Sequence, residues 1–556
     1  MEELRLDYTR FLTYAELEAA LQQFAADYPE LTRLYSIGQS YQGRELYLLE
    51  ITNRNTGPAE DKPGYYIDGN HHAGEVTGSA VCLYTIDYLL TNYGVDSLVT
   101  HLVDNIVFYI LPRVSPDGAE LYLTTPQTLR SSVREWTYPE PTHWEGLHSA
   151  DVDGDGHILT MRVRDDELGD YKVSAEDPRL LVRRGPDDIQ GPFYRLYPEG
   201  YLEDYDGYEV KIAPRKLGLD FNRNYPMWWK PETQVRGSGP YPFSEPETRA
   251  VGDFLLSHRN IAGALSYHTS GGVILRAMCT DYDRNMPPQD LRMMQTIGDR
   301  GKEITGYPCV SIFEGFTFNK SRPSAGSFMD FAYDYLGIIS YATELWDINA
   351  QAGLPKRSMS EMMQLTEKQR EKDALQLLKW NDEVLGGAGF VNWREFEHPQ
   401  LGTVEIGGWL PKAVRQNAPA QLLEAECEKN MRFSLVHAAT LPQLKLRFAC
   451  LEPLADNCYR VTAVVENAGY LPTSGSAKAE QNKIVPPVVV EVQLPEGGRV
   501  LHGEARKELG HLPGRATPGV DPRRKAEWVV YLPEGGQVTV VASSPRAGRA
   551  VCELEQ

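Results

Sequence analysis

The stretch DGNHHAGEVTGSA, residues 68–80, joins the end of a strand pattern to the start of a helical one. The run GYYIDGN before it predicts a buried strand, and an apolar helical pattern extends from about Glu75 to Asn92. His72 and Glu75 stand three residues apart across this strand-to-helix turn. Imidazole nitrogen and carboxylate oxygen both bind zinc, and this spacing lets both side chains point at one ion. An HxxE pair also arises by chance, in which case Glu75 only offsets a helix macrodipole and His72 is a polar cap.

Further polar residues follow strand patterns later in the chain. LSYHTSGG places His268 at the end of an apolar strand, and IISYATELWD places Glu344 at the end of another. LDFNRNYP groups Asp220, Asn222 and Arg223. Each of these residues alone could be a satisfied polar group in a core. Because α/β sheets bind ligands at the carboxyl ends of their strands, their succession along one chain favours a single site.

The chain divides into three parts by pattern. Residues 1–385 alternate strands and helices, which predicts an α/β layer structure with a mainly parallel or mixed sheet, and within them the irregular section 120–215 is expected to be an insertion near the functional site. Residues 386–440 are expected to be a connecting segment. Short alternating runs broken by Gly, Pro and Asn predict that residues 441–556 form an antiparallel β-sandwich of auxiliary function.

Composition narrows the classes of partner. Acidic residues outnumber basic ones by 77 to 56, giving a net charge of −21, which argues against nucleic acid or anionic membrane as a partner. No stretch approaches the roughly 20 apolar residues that cross a bilayer. The acidic N-terminal segment does not resemble a secretory signal, so we expect a cytoplasmic protein, with secretion after removal of a signal as the alternative. The seven cysteines form no CxxC pair, which argues against a thiolate zinc site, and nothing indicates the oligomeric state.

The chain resembles the zinc carboxypeptidase family, the metallocarboxypeptidases of the pancreatic-carboxypeptidase type, in a bacterial form with a C-terminal β domain. The matching pieces occur in the family's order between about Tyr8 and Leu385: YSIGQSYQGRELYLLEI, GNHHAGE, LPRVSPDG, LDFNRNYP, GPYPFSEPET, LSYHTSGG and ATELWD. This resemblance implies a mixed, twisted sheet between helices. It also implies one catalytic zinc held by His72, Glu75 and His268, with an open fourth position for water.

The same resemblance implies the catalytic roles. Glu344 would be the general base that takes a proton from the attacking water and later delivers it to the leaving amine. Arg162, in HILTMR, is the best match for the arginine that stabilises the oxyanion, with Arg164 two residues further on. Asp220 would orient the imidazole of His72.

The substrate implied is a peptide with a free C-terminus. Arg223 and Asn222 match the positions that hold the terminal carboxylate, because a guanidinium binds a carboxylate through two parallel hydrogen bonds. The alternative for Arg223 is a structural salt bridge. The specificity position falls on Phe328 or Met329, where no acidic residue stands, so we expect an apolar or mixed side-chain preference.

Two departures from the family pattern affect the substrate groove. The family usually carries an arginine two residues after its first histidine ligand, whereas this chain has Gly74, which removes a cation from the groove. Where the family has a tyrosine that closes over the substrate, the stretch NKSRPSAGSFMDF offers Ser321 or Arg322.

A second metal site is suggested by DVDGDGHILTMR. Asp151, Asp153 and Asp155 alternate as at the start of a calcium loop, but the twelfth position is an arginine, which excludes a complete EF-hand. A structural calcium site completed by the backbone carbonyl of His157 and remote ligands is expected, with a solvated acidic turn as the alternative.

Two rival functions remain open. A related zinc amidase acting on cell-wall peptides or other non-standard amides would share this chemistry. A binding protein with a degenerate site is disfavoured, since His72, Glu75, His268 and Glu344 are all present.

Overall fold

The run Gly64–Gly69 is a fully buried strand whose side chains alternate between two cores. Tyr65 and Ile67 pack into one apolar cluster, and Tyr66 packs into the other on the opposite face. This alternation requires a sheet covered on both sides, as the α/β pattern predicts.

The structure is a computed structural model that describes residues 4–136, 138, 144–357, 359–533 and 536–555. Its α-helices, in chain order, are α1 Tyr14–Asp27, α2 Val76–Thr91, α3 Ser97–Asn105, α4 Pro116–Thr124, α5 Pro246–Ser257, α6 Pro288–Thr305, α7 Ile348–Gln351, α8 Met359–Met363, α9 Glu367–Leu385, α10 Ala420–Ala438 and α11 Ala477–Gln481. None of these helices is long and apolar enough to cross a membrane, a finding that covers the described residues alone.

The strands, in chain order, are β1 Thr32–Gln39, β2 Glu45–Ile51, β3 Gly64–Gly69, β4 Val107–Leu111, β5 Gly146–Ser149, β6 Thr160–Arg164, β7 Tyr171–Val173, β8 Leu181–Arg183, β9 Tyr194–Pro198, β10 Gly200–Glu203, β11 Ile261–Thr269, β12 Val273–Arg276, β13 Cys309–Ser311, β14 Ile339–Leu345, β15 Phe390–His398, β16 Gly402–Trp409, β17 Leu444–Ala455, β18 Cys458–Asn467, β19 Val488–Gln493, β20 Arg499–His502, β21 Arg506–Gly510, β22 Arg523–Tyr531, β23 Val538–Ser544 and β24 Gly548–Leu554.

The main sheet has eight strands in the order β1-β2-β4-β3-β11-β14-β12-β13. Strands β4, β3, β11 and β14 run parallel at its centre, and antiparallel neighbours flank them. Helices α2, α6 and α10 contribute to one core, and α5 contributes to the core on the opposite face. The predicted mixed sheet between helices is confirmed.

The C-terminal part consists of two four-stranded antiparallel sheets, β17-β18-β22-β20 and β21-β19-β23-β24. Both sheets bury residues in one shared core, which includes Val461, Val490 and Trp528. This arrangement confirms the predicted antiparallel β domain.

The segment 386–440, expected to be a connection, instead forms strands and a helix that pack on the rest of the molecule. Its strands β15 and β16 join the insertion strands β6, β9, β7 and β8 in a six-stranded antiparallel sheet. Its helix α10 packs on α2 and α6 and places Met431 and Phe433 in the core of the α/β unit. The segment is therefore integrated into the α/β unit, while the domain boundaries themselves stay predictions.

Candidate metal centre and active site

The residues predicted to bind metal converge at the carboxyl ends of two neighbouring parallel strands, β3 and β11. His72 and Glu75 lie on the turn after β3, where the amide of Asn70 donates to the carbonyl of His72 over 2.8 Å. His268 lies at the end of β11, next to β3. The turn approaches α2 closely, because a Cβ on Gly69 would stand 2.6 Å from the carbonyl carbon of Gly78.

The three side chains face one another at ligand distances. The Nδ1 atom of His72 lies 2.9 Å from Glu75 Oε1 and 3.1 Å from Nδ1 of His268, which lies 3.0 Å from Glu75 Oε2. A zinc ion with bonds of about 2.0–2.2 Å holds tetrahedral ligand atoms roughly 3.3 Å apart, so the donor set fits zinc. All three residues are buried. Burial tends to raise the pKa of Glu75, yet the two imidazoles hold it well below its usual range.

The outer nitrogens of both histidines have partners. Nε2 of His72 lies 3.1 Å from Asp220 Oδ1, and Nε2 of His268 lies 3.3 Å from the hydroxyl of Ser266. Such contacts fix which nitrogen faces the metal position. Burial acts to raise the pKa of Asp220, but Arg130, Arg223 and His72 together hold it well below its usual range.

Glu344 lies directly beside the ligand set. In the parallel pairing of β11 with β14 it is the register partner of His268. Burial and the negative charge of Glu75 raise the pKa of Glu344 to about 7, against the opposing effect of His268 and the nearby arginines. A carboxyl group of this pKa can accept and release a proton near neutral pH.

The arginine in this site is Arg130, which sequence reasoning missed. Its Nε donates to Asp220 Oδ2 over 3.0 Å, and its Nη1 lies 3.5 Å from Glu75 Oε1. The backbone carbonyl of Arg130 accepts from the amide of Ala73, which ties it to the ligand turn. Arg130 lies within the section 120–215, and the length of that section hides its relation to the Asn222–Arg223 pair.

Arg162 lies elsewhere, and its expected role is corrected. Its guanidinium forms a two-pronged pair with Glu405 at 2.6 and 2.9 Å and lies over the rings of Tyr194 and Trp393. These contacts lie in the six-stranded sheet, because β6 carries Arg162 and pairs with β16 there. Arg164 is exposed and pairs with Asp166.

Arg223 and Asn222 lie next to the ligand set on a short 3-10 turn, Phe221–Arg223. Arg223 donates to the carbonyl of Asn222 over 2.6 Å and to the hydroxyl of Ser324 over 3.2 Å. Within the described residues it forms no ion pair, so the alternative of a structural salt bridge is not supported. The carbonyl oxygen of the Asn222 side chain accepts from the backbone of Phe328 over 2.8 Å.

The predicted specificity residues are core residues. Phe328 and Met329 are buried in the apolar cluster on the α5 face of the main sheet. The ring of Phe328 packs against those of His71, Tyr66 and Tyr225. Of the two, Phe328 also contacts Asn222 through its backbone N–H.

Comparison with known families decides the classification. The family model described as zinc carboxypeptidase matches residues 17–146 and 197–377, more than half of the chain. The chain belongs to the zinc carboxypeptidase family. A second model, described as a domain of unknown function, matches residues 443–555.

Individual relatives of the zinc carboxypeptidase match shorter stretches. Carboxypeptidase D of Homo sapiens is 40% identical over 107 residues, 19% of this chain and 8% of that protein. A zinc carboxypeptidase of Saccharothrix mutabilis subsp. capreolus is 34% identical over 129 residues, 23% of this chain and 28% of that protein. Among solved structures, the carboxypeptidase A of Helicoverpa armigera matches with a TM-score of 0.41 and 20% identity, over 69% of this chain and 76% of that one. The matched segments span less than a third of these curated relatives.

The glycine that departs from the zinc carboxypeptidase pattern has a local reason. A Cβ on Gly74 would stand 2.7 Å from the ring of Tyr122 and 2.8 Å from the side-chain amide of Gln416. Asn417 donates to the carbonyl of Gly74 over 2.8 Å and accepts from the backbone of Thr77 over 3.1 Å. The 411–440 segment, comprising the π-helical turn Pro411–Gln416 and α10, therefore fills the space where the family carries an arginine.

The same segment fastens the strand that carries Glu344. Glu426 on α10 accepts from the backbone N–H of Trp346 over 3.2 Å, two residues after Glu344. The indole of Trp346 donates to the carbonyl of Val414 over 2.8 Å. Sequence reasoning missed these contacts because each joins residues far apart in the chain.

The calcium expectation is not supported by the loop geometry. Arg394 pairs with Asp153 at 2.7 Å and also with Asp155, so a guanidinium holds the position between two of the predicted ligands. Asp151 and Asp153 instead approach Glu199, with ligand atoms within 4.8 Å of one another. Backbone amides of the loop already donate to Asp151 and Glu199.

Proposed function

We propose that the protein is a zinc-dependent metallocarboxypeptidase that hydrolyses the C-terminal peptide bond of peptides. The observation that supports this most strongly is the convergence of three ligand atoms from His72, Glu75 and His268 beside Glu344. A zinc ion held there would polarise the scissile carbonyl and lower the pKa of a water molecule toward 7.

Glu344 carries the proton in this proposal. As general base it takes a proton from the attacking water, and as general acid it passes that proton to the leaving amine. Its position at the end of β14, in register with His268, places its carboxylate beside the zinc ligands for both transfers. Asp220 keeps the imidazole of His72 oriented throughout.

Arg130 and Arg223 each bind a different negative charge of the substrate. Arg130 is the group that stabilises the oxyanion as the carbonyl is attacked, since its guanidinium lies beside Glu75. Arg223 and the side-chain amide of Asn222 hold the terminal carboxylate. Arg223 suits this task because its described contacts are to a carbonyl and a hydroxyl rather than to a carboxylate.

Hydrolysis of matched peptides tests the proposal. We expect hippuryl-type dipeptides with a free carboxylate to be cleaved, and the same dipeptides with a terminal amide to be cleaved about 100-fold less well. Arg223→Ala should remove most of this difference. Cleavage of muropeptides with hippuryl-type substrates spared would instead identify a zinc amidase.

Glu344→Gln separates catalysis from folding. We expect kcat to fall by about 10³-fold, within the range for loss of a general base, while bound zinc stays at one ion per chain. Unchanged activity in this variant would remove Glu344 from the mechanism, whereas absence of activity in the unmodified protein would revive a binding protein as the alternative.

A further inference from the structure

A pocket of about 580 Å³ opens beside the residues assigned to the terminal carboxylate. Its wall includes Pro323 and Ala325, and the residue between them, Ser324, accepts the hydrogen bond from Arg223. The backbone of Tyr225 donates to the carbonyl of Gly326 over 2.9 Å, which ties the same wall to the Asn-Arg turn. A substrate whose carboxylate rests on Arg223 would have its terminal side chain next to this pocket.

Two cations line the pocket without a carboxylate partner. Lys230 and Arg322 are exposed on its wall, and neither forms an ion pair or a side-chain hydrogen bond within the part of the chain that the structure describes.

Asp281, the acidic residue on the pocket wall, already accepts hydrogen bonds from its neighbours. Both carboxylate oxygens of Asp281 accept from the side-chain amide of Asn285, at 2.8 and 2.9 Å, and one also accepts from the backbone of Tyr282 at 2.7 Å. Asp281 keeps its charge, and with Lys230 and Arg322 on the same wall the lining carries a net positive charge.

Apolar groups complete the wall. Trp228, Val235 and Met278 line the pocket, and the indole N–H of Trp228 is held by Asp334 over 2.9 Å. These groups match the methylene stem of a side chain that ends in a charged group. The volume exceeds what a single side chain needs, so glutamate fits without strain.

We propose that this pocket binds the anionic side chain of a substrate whose terminal residue carries a second carboxylate, as glutamate does, with Lys230 and Arg322 as the recognising groups. This inference rests on the proposed carboxypeptidase function and names its substrate class. It replaces the apolar or mixed preference expected from Phe328 and Met329, since those two residues are buried in the core.

Peptides that end in glutamate or glutamine measure the preference at nearly equal size. We expect kcat/KM to be about tenfold higher for the glutamate peptide, from two partly solvated ion pairs, and the ratio to fall as salt rises. The double variant Lys230→Gln/Arg322→Gln should bring the ratio near one. Lys320→Gln is the matched control, because Lys320 lies over the rings of Tyr282 and Phe313 and does not line the pocket.

A binding measurement separates this inference from the proposed function. Calorimetry on zinc-loaded Glu344→Gln protein compares N-acetylglutamate with N-acetylglutamine. Tighter binding of N-acetylglutamate, with no peptide cleaved by the unmodified protein, would overturn the proposed function and leave the pocket assignment standing. Peptide cleavage with a ratio at or below one, or a ratio that the double variant leaves unchanged, would overturn the pocket assignment.

Discussion

At the scale of single residues, the charge of each group in the site is set by its neighbours. Arg130 lies between Asp220 and Glu75, and both carboxylates help to keep its guanidinium charged, although partial desolvation opposes this. Arg162 has equally good contacts, but they are to Glu405 in another sheet. Arg130 and Arg162 therefore differ in which charge they can stabilise.

The pair Arg130→Ala and Arg162→Ala tests this distinction. Loss of Arg130 should lower kcat by about 10²–10³-fold, the range seen when an oxyanion donor is removed, because the developing charge loses its cation. Loss of Arg162 should lower the thermal unfolding midpoint and leave kcat within about threefold. Steady-state kinetics with a hippuryl-type dipeptide measure both, and a larger kcat effect from Arg162→Ala would contradict the assignment.

His437 is a second residue whose surroundings decide its charge. It is buried on α10, its Nδ1 lies 2.9 Å from the hydroxyl of Tyr65, and burial lowers the pKa of His437 to about 3. The folded protein thus disfavours the proton that the unfolded chain takes up below about pH 6.5. The stability that this group contributes is complete above that pH and is lost as the pH falls toward 3.

Unfolding at two pH values tests this prediction. Between pH 7 and pH 5 the unmodified protein should lose about 2 kcal/mol more unfolding free energy than His437→Gln, which cannot take up a proton there. Urea titrations followed by tryptophan fluorescence give the four values. Equal losses in the two proteins would show that His437 is not held neutral.

At the scale of elements, the catalytic unit depends on the 411–440 segment. Asn417 holds the metal-ligand turn through Gly74 and Thr77, and Glu426 holds the backbone that follows Glu344. One segment therefore contacts the supports of both the ligands and the base. These contacts act through other residues, so Asn417 and Glu426 are positioning residues.

Asn417→Ala tests the positioning role. We expect zinc affinity to fall by about tenfold or more, as for other residues that support metal ligands, because the turn that carries His72 and Glu75 loses its anchor. Asn381→Ala is the control, since Asn381 is also buried and accepts from the backbone of Gly389, with no described hydrogen bond to the metal-ligand turn. Competition with a chromophoric chelator measures both affinities, and equal affinities would refute the role.

The same elements show which site residues can be predicted from the sequence and which cannot. The ligands and Glu344 were predictable because each stands within a few residues of a strand end, and parallel strands bring those ends to one edge. Arg130, Gln416 and Asn417 were not predictable, since their places depend on packing between segments far apart in the chain. The sequence favours Arg162 over Arg130 because a long insertion separates Arg130 from the Asn222–Arg223 turn.

At the scale of the whole molecule, the C-terminal β domain docks on the catalytic unit through buried polar groups. Arg546 is buried and donates to the carbonyls of Leu336, Gly337 and Ser474 at 2.7–2.9 Å. Asp290 on α6 accepts from the backbone amides at the start of α11, at 2.8 and 3.0 Å. Leu336 and Gly337 directly precede β14, so the docking supports the strand that carries Glu344.

Arg546→Met tests the docking. We expect the unfolding free energy to fall by about 1–3 kcal/mol, because buried carbonyls lose their donors. Arg546→Lys should recover part of the loss. Differential scanning calorimetry with limited proteolysis follows the effect, and an unchanged unfolding profile in Arg546→Met would show that the β domain does not depend on this contact.

The most direct test of the whole account is the zinc content of the purified protein, measured by mass spectrometry of metals. We predict one zinc ion per chain in the unmodified protein and in Glu344→Gln, and loss of that zinc in His72→Ala and in His268→Ala. Retention of a full zinc equivalent in either histidine variant would contradict the claim that these two strand ends share one metal ion.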